Sequence, residues 1–178
     1  MMINIRWHGR GGQGAFTAAR LLGAAYSFHE NKYALAFPSF GPERRGAPIQ
    51  AFTKLDEKPV ANRSEVDHAD YIIFLDDTLF SEKVLADLKP EGKVLLNTKR
   101  SYDDPRILTI DADSIALEFL KQPITNTIML GAFAGVFEGI TLADIQEAIR
   151  LLMPVKLHAK NIGVVAVASY RIGEEVVG

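Results

Sequence analysis

A strand-forming segment, Ile3 to Trp7, runs into Gly9-Arg10-Gly11-Gly12-Gln13-Gly14 and then into an alanine-rich stretch, Ala15 to Phe28. The glycine spacing fits G-x-G-x-x-G between a strand and a helix, the setting in which such a loop can cradle phosphate. Glycines permit a tight turn and close approach of a ligand to the backbone, and free amides at the start of the helix favour an anion. Arg10 and Gln13 could add contacts. The same pattern also serves simply to let strand and helix pack closely, so the loop by itself names no ligand. A dinucleotide would require a carboxylate about 20 positions downstream, at the end of the second strand. That region reads Ala36-Phe37-Pro38-Ser39-Phe40, and Glu30 comes before the strand, which disfavours NAD-type binding.

The second group is Ala36-Phe37-Pro38-Ser39-Phe40-Gly41-Pro42-Glu43-Arg44-Arg45-Gly46-Ala47-Pro48. Its prolines restrict the backbone around two adjacent arginines, which makes the loop partly preorganised. Arg44 or Arg45 could grip phosphate or carboxylate bidentately, or form ion pairs across a protein interface. The plainer alternative pairs one of them with Glu43 or Glu30 and leaves the other solvated.

Other polar residues are open to two readings each. His8 beside the glycine loop could touch a phosphate or exchange a proton, but has no identified partner. His29, His68 and His158 show no metal-ligand spacing, which points to surface or structural roles. Asp76-Asp77 ends a strand, where α/β proteins place functional groups, yet Asp77 can equally cap a helix beginning near Thr78. Asp111 and Asp113 also follow a strand, with Asp113 placed to cap. Asn126 and Thr127 could contact a ligand or cap the helix Ile128 to Phe137.

The elements that must position these groups follow from hydrophobic patterning. Ile3–Trp7, Tyr33–Phe37, Ile49–Leu55, Tyr71–Leu75, Val94–Leu96 and Ile107–Ile110 read as strands, several of them continuous apolar runs suited to burial on both faces. Helices are expected over Ala15–Phe28, Leu79–Leu88 and Ser114–Leu120, giving the alternation of an α/β protein with a Rossmann-like, mostly parallel sheet flanked by helices. The C-terminal third is helical: Leu142, Ile145, Ile149 and Leu152 recur at helical spacing behind a Thr141 cap with Asp144 three positions on, and Pro154 opens another helix.

The 178 residues suit a single domain with a full core. Twenty basic against twenty-two acidic residues give a formal charge of -2, which disfavours nucleic acid as a partner. The absence of cysteine excludes disulfides, thiolate nucleophiles and cysteine-ligated iron–sulfur clusters on this chain. No signal-peptide pattern and no apolar run of roughly 20 residues is present, so a cytoplasmic location without a membrane span is expected.

Together, Arg6-Trp7-His8-Gly9-Arg10-Gly11-Gly12-Gln13-Gly14 and Phe37 through Pro48 closely resemble the gamma subunit of pyruvate and related 2-oxoacid:ferredoxin oxidoreductases. Asn126-Thr127-Ile128-Met129-Leu130-Gly131-Ala132 extends the likeness over nearly the whole chain. The Pro-Glu-Arg-Arg-Gly-Ala-Pro form is more similar to pyruvate or ketoisovalerate enzymes than to 2-oxoglutarate enzymes. The resemblance implies a subunit, inactive alone, of an enzyme that converts pyruvate and coenzyme A to acetyl-CoA and carbon dioxide while reducing ferredoxin. It further implies thiamine diphosphate and iron–sulfur clusters on alpha-, beta- and delta-type partner subunits, and ferredoxin met through the complex. The equivalent domain is associated with coenzyme A handling and with assembly. On that basis Gly9, Arg10, Gly11, Gly12, Gln13, Gly14, Arg44, Arg45, Asn126 and Thr127 are candidate cofactor-binding residues, with no catalytic residue and no metal ligand assigned. The alternatives are a stand-alone nucleotide-binding protein and a purely structural subunit. The isolated chain is expected to show apolar surface beside the arginine loop, or to self-associate.

Overall fold

The structure, a computed structural model, describes residues 1–178. Six strands form one mixed sheet: β1 (Ile3–Arg10), β2 (Tyr33–Pro38), β3 (Pro48–Asp56), β4 (Ala69–Phe74), β5 (Leu88–Asn97) and β6 (Ile107–Ile110). Their spatial order is β2-β3-β1-β4-β5-β6. β1, β4, β5 and β6 pair in parallel, whereas β3 is antiparallel to both β1 and β2. β2 therefore runs in the same sense as β1, and only β3 is reversed, in keeping with the mostly parallel sheet expected. The loop leaving β2 consequently starts at the same sheet edge as the loops leaving β1, β4 and β5.

The helices are α1 (Ala15–Ser27), α2 (Ala112–Ile115), α3 (Asn126–Val136), α4 (Leu142–Leu152) and α5 (His158–Val177). Strand side chains alternate between faces, and the two faces are covered very differently. Ile5, Trp7, Leu55, Ile73, Leu75 and Leu95 join residues of the five helices in a core of 33 buried residues. Their neighbours Phe52, Ile72, Phe74, Val94 and Leu96 belong to a second core of only 9, roofed by irregular chain. One polar link fastens α1 to the sheet: buried Thr53 accepts from the Trp7 indole at 3.1 Å and donates to the Ala19 carbonyl at 3.0 Å.

α3 is apolar on nearly every side because the sheet lies under it and α5 beside it. Their close approach depends on Gly131 and Gly135. A Cβ on Gly131 would come 2.5 Å from the Val165 carbonyl oxygen, and one on Gly135 2.7 Å from that of Ser169. At α4 the expected Thr141 cap is present as a reciprocal box with Asp144, whose carboxylate also pairs with His29 at 2.8 Å. No helix is long and apolar enough to cross a membrane.

Two expected helices take other forms. Over Leu79–Leu88 the chain makes two short 3-10 turns, Asp77–Leu79 and Glu82–Asp87, around an extended Phe80. Extension lets the Phe80 ring meet Phe74 and Tyr102 edge-on, at 5.4 and 5.5 Å, and so roof the thin face of the sheet. Over Ser114–Leu120, α2 passes into a π-helical turn, Ala116–Leu120, which stops at Lys121 in the left-handed region. Asp111, not Asp113, caps α2: it accepts from the Ser114 amide and hydroxyl, while Asp113 accepts from Asn97.

Candidate functional site

β1 ends at Arg10, and the loop from Gly11 to Gly14 turns back into α1. Gly12 and Gly14 have φ of 92° and 83°, a region that side-chain-bearing residues avoid. The Gly11 amide donates to the Ala47 carbonyl at 2.8 Å, and the Gly46 amide donates to the Gly11 carbonyl at 3.0 Å. These bonds form a short parallel bridge between Gly11 and Arg45, so the glycine and arginine loops meet at one sheet edge. A Cβ on Gly11 would collide with the Arg44 carbonyl, which explains glycine there by space alone.

Arg10 is spent on building this junction. Its guanidinium donates to the Gly46 carbonyl at 3.0 Å and to the Thr78 hydroxyl at 2.9 Å, and lies 3.3 Å from the Asp76 carboxylate. Gln13 bridges the same elements, accepting from the Arg10 amide at 2.7 Å and donating to Asp76 at 3.1 Å. Burial alone would raise the Asp76 pKa, but hydrogen bonds from Thr78 and Gln13 and the charge of Arg10 outweigh it and hold the carboxyl below its ordinary value. Asp76 also caps the following turn through the Thr78 amide, the role expected of Asp77. Asp77 instead accepts from the Thr98 hydroxyl at 2.8 Å.

Arg44 and Arg45 are exposed and form no ion pair. Glu43, the expected partner, forms no ion pair with them and accepts from the Gly12 amide at 3.1 Å. Beside them α1 begins with Gly14 in place of a capping side chain and has no acidic residue in its first turn. Its leading amides are therefore uncompensated, and the positive end of the helix dipole faces the same edge as two free guanidinium groups. The arrangement suits an anion with several oxygens.

The remaining candidates divide. Asn126 is buried against the glycine loop, its amide donating to the Gly14 carbonyl at 3.3 Å. Thr127 is fully buried, and its hydroxyl donates to Asn161 of α5 at 2.6 Å, so it ties two helices and does not reach the junction. Neither side chain caps α3. His8 points to the other face of the sheet, stacked on Phe74 at 4.4 Å. Its Nε2 accepts from Arg6 Nε at 2.9 Å, which puts the ring proton on Nδ1. Burial, reinforced by the Arg6 charge, lowers its pKa to about 4. Asp87, which pairs with Arg6 at 2.6 Å, acts the other way but does not reverse this.

Residues 4–169 match the family model of pyruvate ferredoxin/flavodoxin oxidoreductase. The chain belongs to that family. It is 48% identical over 163 residues to pyruvate synthase subunit PorC of Methanothermobacter marburgensis, covering 90% of this chain and 92% of the relative. It is 44% identical to the common gamma subunit of the pyruvate/ketoisovalerate oxidoreductases of Thermococcus kodakarensis, over 90% and 91% of the two chains. The crystal structure of pyruvate oxidoreductase subunit PORC from Thermotoga maritima superposes with a TM-score of 0.78 at 32% identity, covering 97% and 96%. The resemblance drawn from the two loops is thus confirmed at the level of family, and the chain is a subunit of a multisubunit oxidoreductase.

Within this family member, the junction includes Glu43, Asp76 and Thr78 in addition to the candidates named from sequence. Asp76 had a visible signal, a carboxylate at the carboxyl end of a parallel strand followed two residues later by a threonine. Glu43 had none, because its partner is a backbone amide 31 residues away. Apolar exposure beside the arginines is confined to Phe40, at 85%. The larger group of exposed apolar side chains, Leu151, Leu152, Val155 and Leu157, lies at the α4–α5 connection.

Proposed function

We propose that this chain is the gamma-type subunit of pyruvate:ferredoxin oxidoreductase and that its glycine–arginine junction receives the phosphate-bearing portion of coenzyme A. The observation that carries the second part is the backbone bridge between Gly11 and Arg45, which fixes two unpaired arginines beside the uncapped start of α1. Arginine stays protonated at physiological pH and matches phosphate oxygens with its planar fork. The leading amides of α1 supply directed donors that need no rearrangement. Gly12 adds one more once the Glu43 carboxylate gives way to a more highly charged phosphate.

In the assembled enzyme pyruvate and coenzyme A yield acetyl-CoA and carbon dioxide, and two electrons leave through iron–sulfur clusters to ferredoxin. Thiamine diphosphate and the clusters belong to alpha-, beta- and delta-type subunits; this chain contributes no cysteine. Its task is to bind and orient a substrate and to complete the assembly. The test is the purified complex carrying Arg44→Gln and Arg45→Gln together. The KM for coenzyme A should rise at least tenfold, the loss of one charge-assisted contact, with the KM for pyruvate and the subunit composition unchanged. Equal effects on both substrates would remove coenzyme A from this site, and loss of assembly would assign the arginines to an interface.

A further inference from the structure

A cleft of ≈ 520 Å³ opens on the helical side of the molecule, between the start of α1, the segment leading into α3 and the α4–α5 connection. Its volume lies within the range of small-molecule sites, roughly 300–1,000 Å³. Leu120, Ile124, Met153 and Leu157 supply apolar wall, and Arg20, Lys156 and Lys160 supply charge. No acidic residue lines it. None of the three cations takes part in an ion pair; Arg20 only overlies the Phe16 ring at 5.7 Å. Three like charges gathered without a counter-charge repel one another, and an anion placed among them relieves that repulsion.

The helix ends reinforce the preference. The start of α3 borders the cleft and has no side-chain cap. At the carboxyl end of α4, the Met153 carbonyl is taken up by His158 Nε2 at 2.7 Å. Asn126 lines the cleft while only 7% exposed. Its Nδ2 is used on Gly14, which leaves Oδ1 as an acceptor for a ligand hydroxyl or amide.

We propose that this cleft is a binding site for an organic phosphate ester: a phosphate held by Arg20, Lys156 and Lys160, and an apolar body lying against Leu120, Ile124 and Leu157. It adjoins the glycine–arginine junction, sharing Asn126 and the first turn of α1 with it, but its three cations belong to the cleft and not to that junction. A free inorganic anion would use the charges but not the apolar wall, and a neutral aromatic would use the wall but not the charges, so the pair distinguishes a built site from a merely basic surface.

The experiment titrates the full-length chain with phenyl phosphate, inorganic phosphate and phenol, following backbone amide shifts by NMR. Phenyl phosphate should saturate, shifting Asn126, Lys156 and Lys160, and should bind at least tenfold more tightly than either fragment. Lys156→Gln with Lys160→Gln should weaken it by at least tenfold, whereas Arg44→Gln with Arg45→Gln should leave it unchanged. Equal affinity for inorganic phosphate, or weakening by the Arg44 and Arg45 changes instead, would overturn the assignment. So would an absence of saturation, and if the same residues then became protected from hydrogen exchange in the assembled complex, the cleft would be a subunit interface.

Discussion

Gly11 and Gly12 are neighbours in one loop, yet substitution should act on them through different physics. At Gly11 a Cβ meets the Arg44 backbone, so Gly11→Ala must push the arginine loop away and break the two amide–carbonyl bonds that join the loops. At about 0.5–1.5 kcal/mol net for each bond, the cost is roughly 1–3 kcal/mol, because the exposed loop can move instead of overpacking. At Gly12 a Cβ meets only Arg45 Cγ, at 3.8 Å, and the cost is the unfavourable φ of 92°, on the order of 1–2 kcal/mol. Both changes should lower Tm modestly, since β1 and α1 are anchored by the larger core. Only Gly11→Ala should displace Arg44 and Arg45 and raise the KM for coenzyme A in the assembled enzyme by at least tenfold, leaving that for pyruvate untouched. The measurements are thermal melts of the isolated chains and steady-state kinetics of the complexes. A larger rise in the coenzyme A KM from Gly12→Ala than from Gly11→Ala would refute the view that loop-to-loop contact positions the arginines.

Thr127→Val should cost about 1–3 kcal/mol by stranding the buried Asn161 carbonyl oxygen, seen as a lower denaturation midpoint with no change in either KM. Gly131→Leu should separate α3 from α5 and destabilise by more than about 3 kcal/mol, or abolish soluble expression, because its first side-chain atom already meets the Val165 backbone. The pKa of His8 is lowered to about 4 from 6.5 in the unfolded chain, so the unfolded state takes a proton first as pH falls. Its contribution is fully present above about pH 6.5 and is lost between there and about 4. Urea midpoints measured at pH 7.5 and 5 should therefore differ more for the natural chain than for His8→Gln.

The glycine loop, the strand run and the α4 cap were legible because each is a local pattern: glycine spacing, apolar continuity, a Thr-x-x-Asp box. The meeting of the two loops was legible as topology, because loops leaving the carboxyl ends of co-directed strands share an edge. What escaped was decided by tertiary contact. Nothing within Leu79–Leu88 forbids a helix; Phe80 extends because Phe74 and Tyr102 offer it a place. Thr127 reads equally well as cap or ligand until Asn161, 34 residues on, claims its hydroxyl. The choice between Asp76 and Asp77 rests on Arg10 and Gln13 on one side and Thr98 on the other, and spacing along the chain shows neither.

The charges at the junction are divided by function. Arg10 and Asp76 neutralise each other and are fixed by Gln13, Thr78 and Gly46, so they hold loops in place and keep little capacity for a ligand. Arg44 and Arg45 have the opposite character: exposed, unpaired and carried on a loop that Arg10 tethers through the Gly46 carbonyl. Glu43 occupies the intermediate position, a single carboxylate resting on the Gly12 amide. On the coenzyme A reading proposed above, a phosphate would displace it, because a doubly charged phosphate competes for that amide better than a monoanionic carboxylate does. Glu43→Gln weakens the internal competitor and removes a negative charge next to two arginines, so it should lower the KM for coenzyme A, by about threefold to tenfold if the exposed carboxylate costs the ligand roughly 0.7–1.4 kcal/mol. Steady-state kinetics of the assembled complex at low ionic strength, where such surface charge is least screened, decide it. An unchanged or raised KM would show that Glu43 supports the loop and does not compete with the ligand.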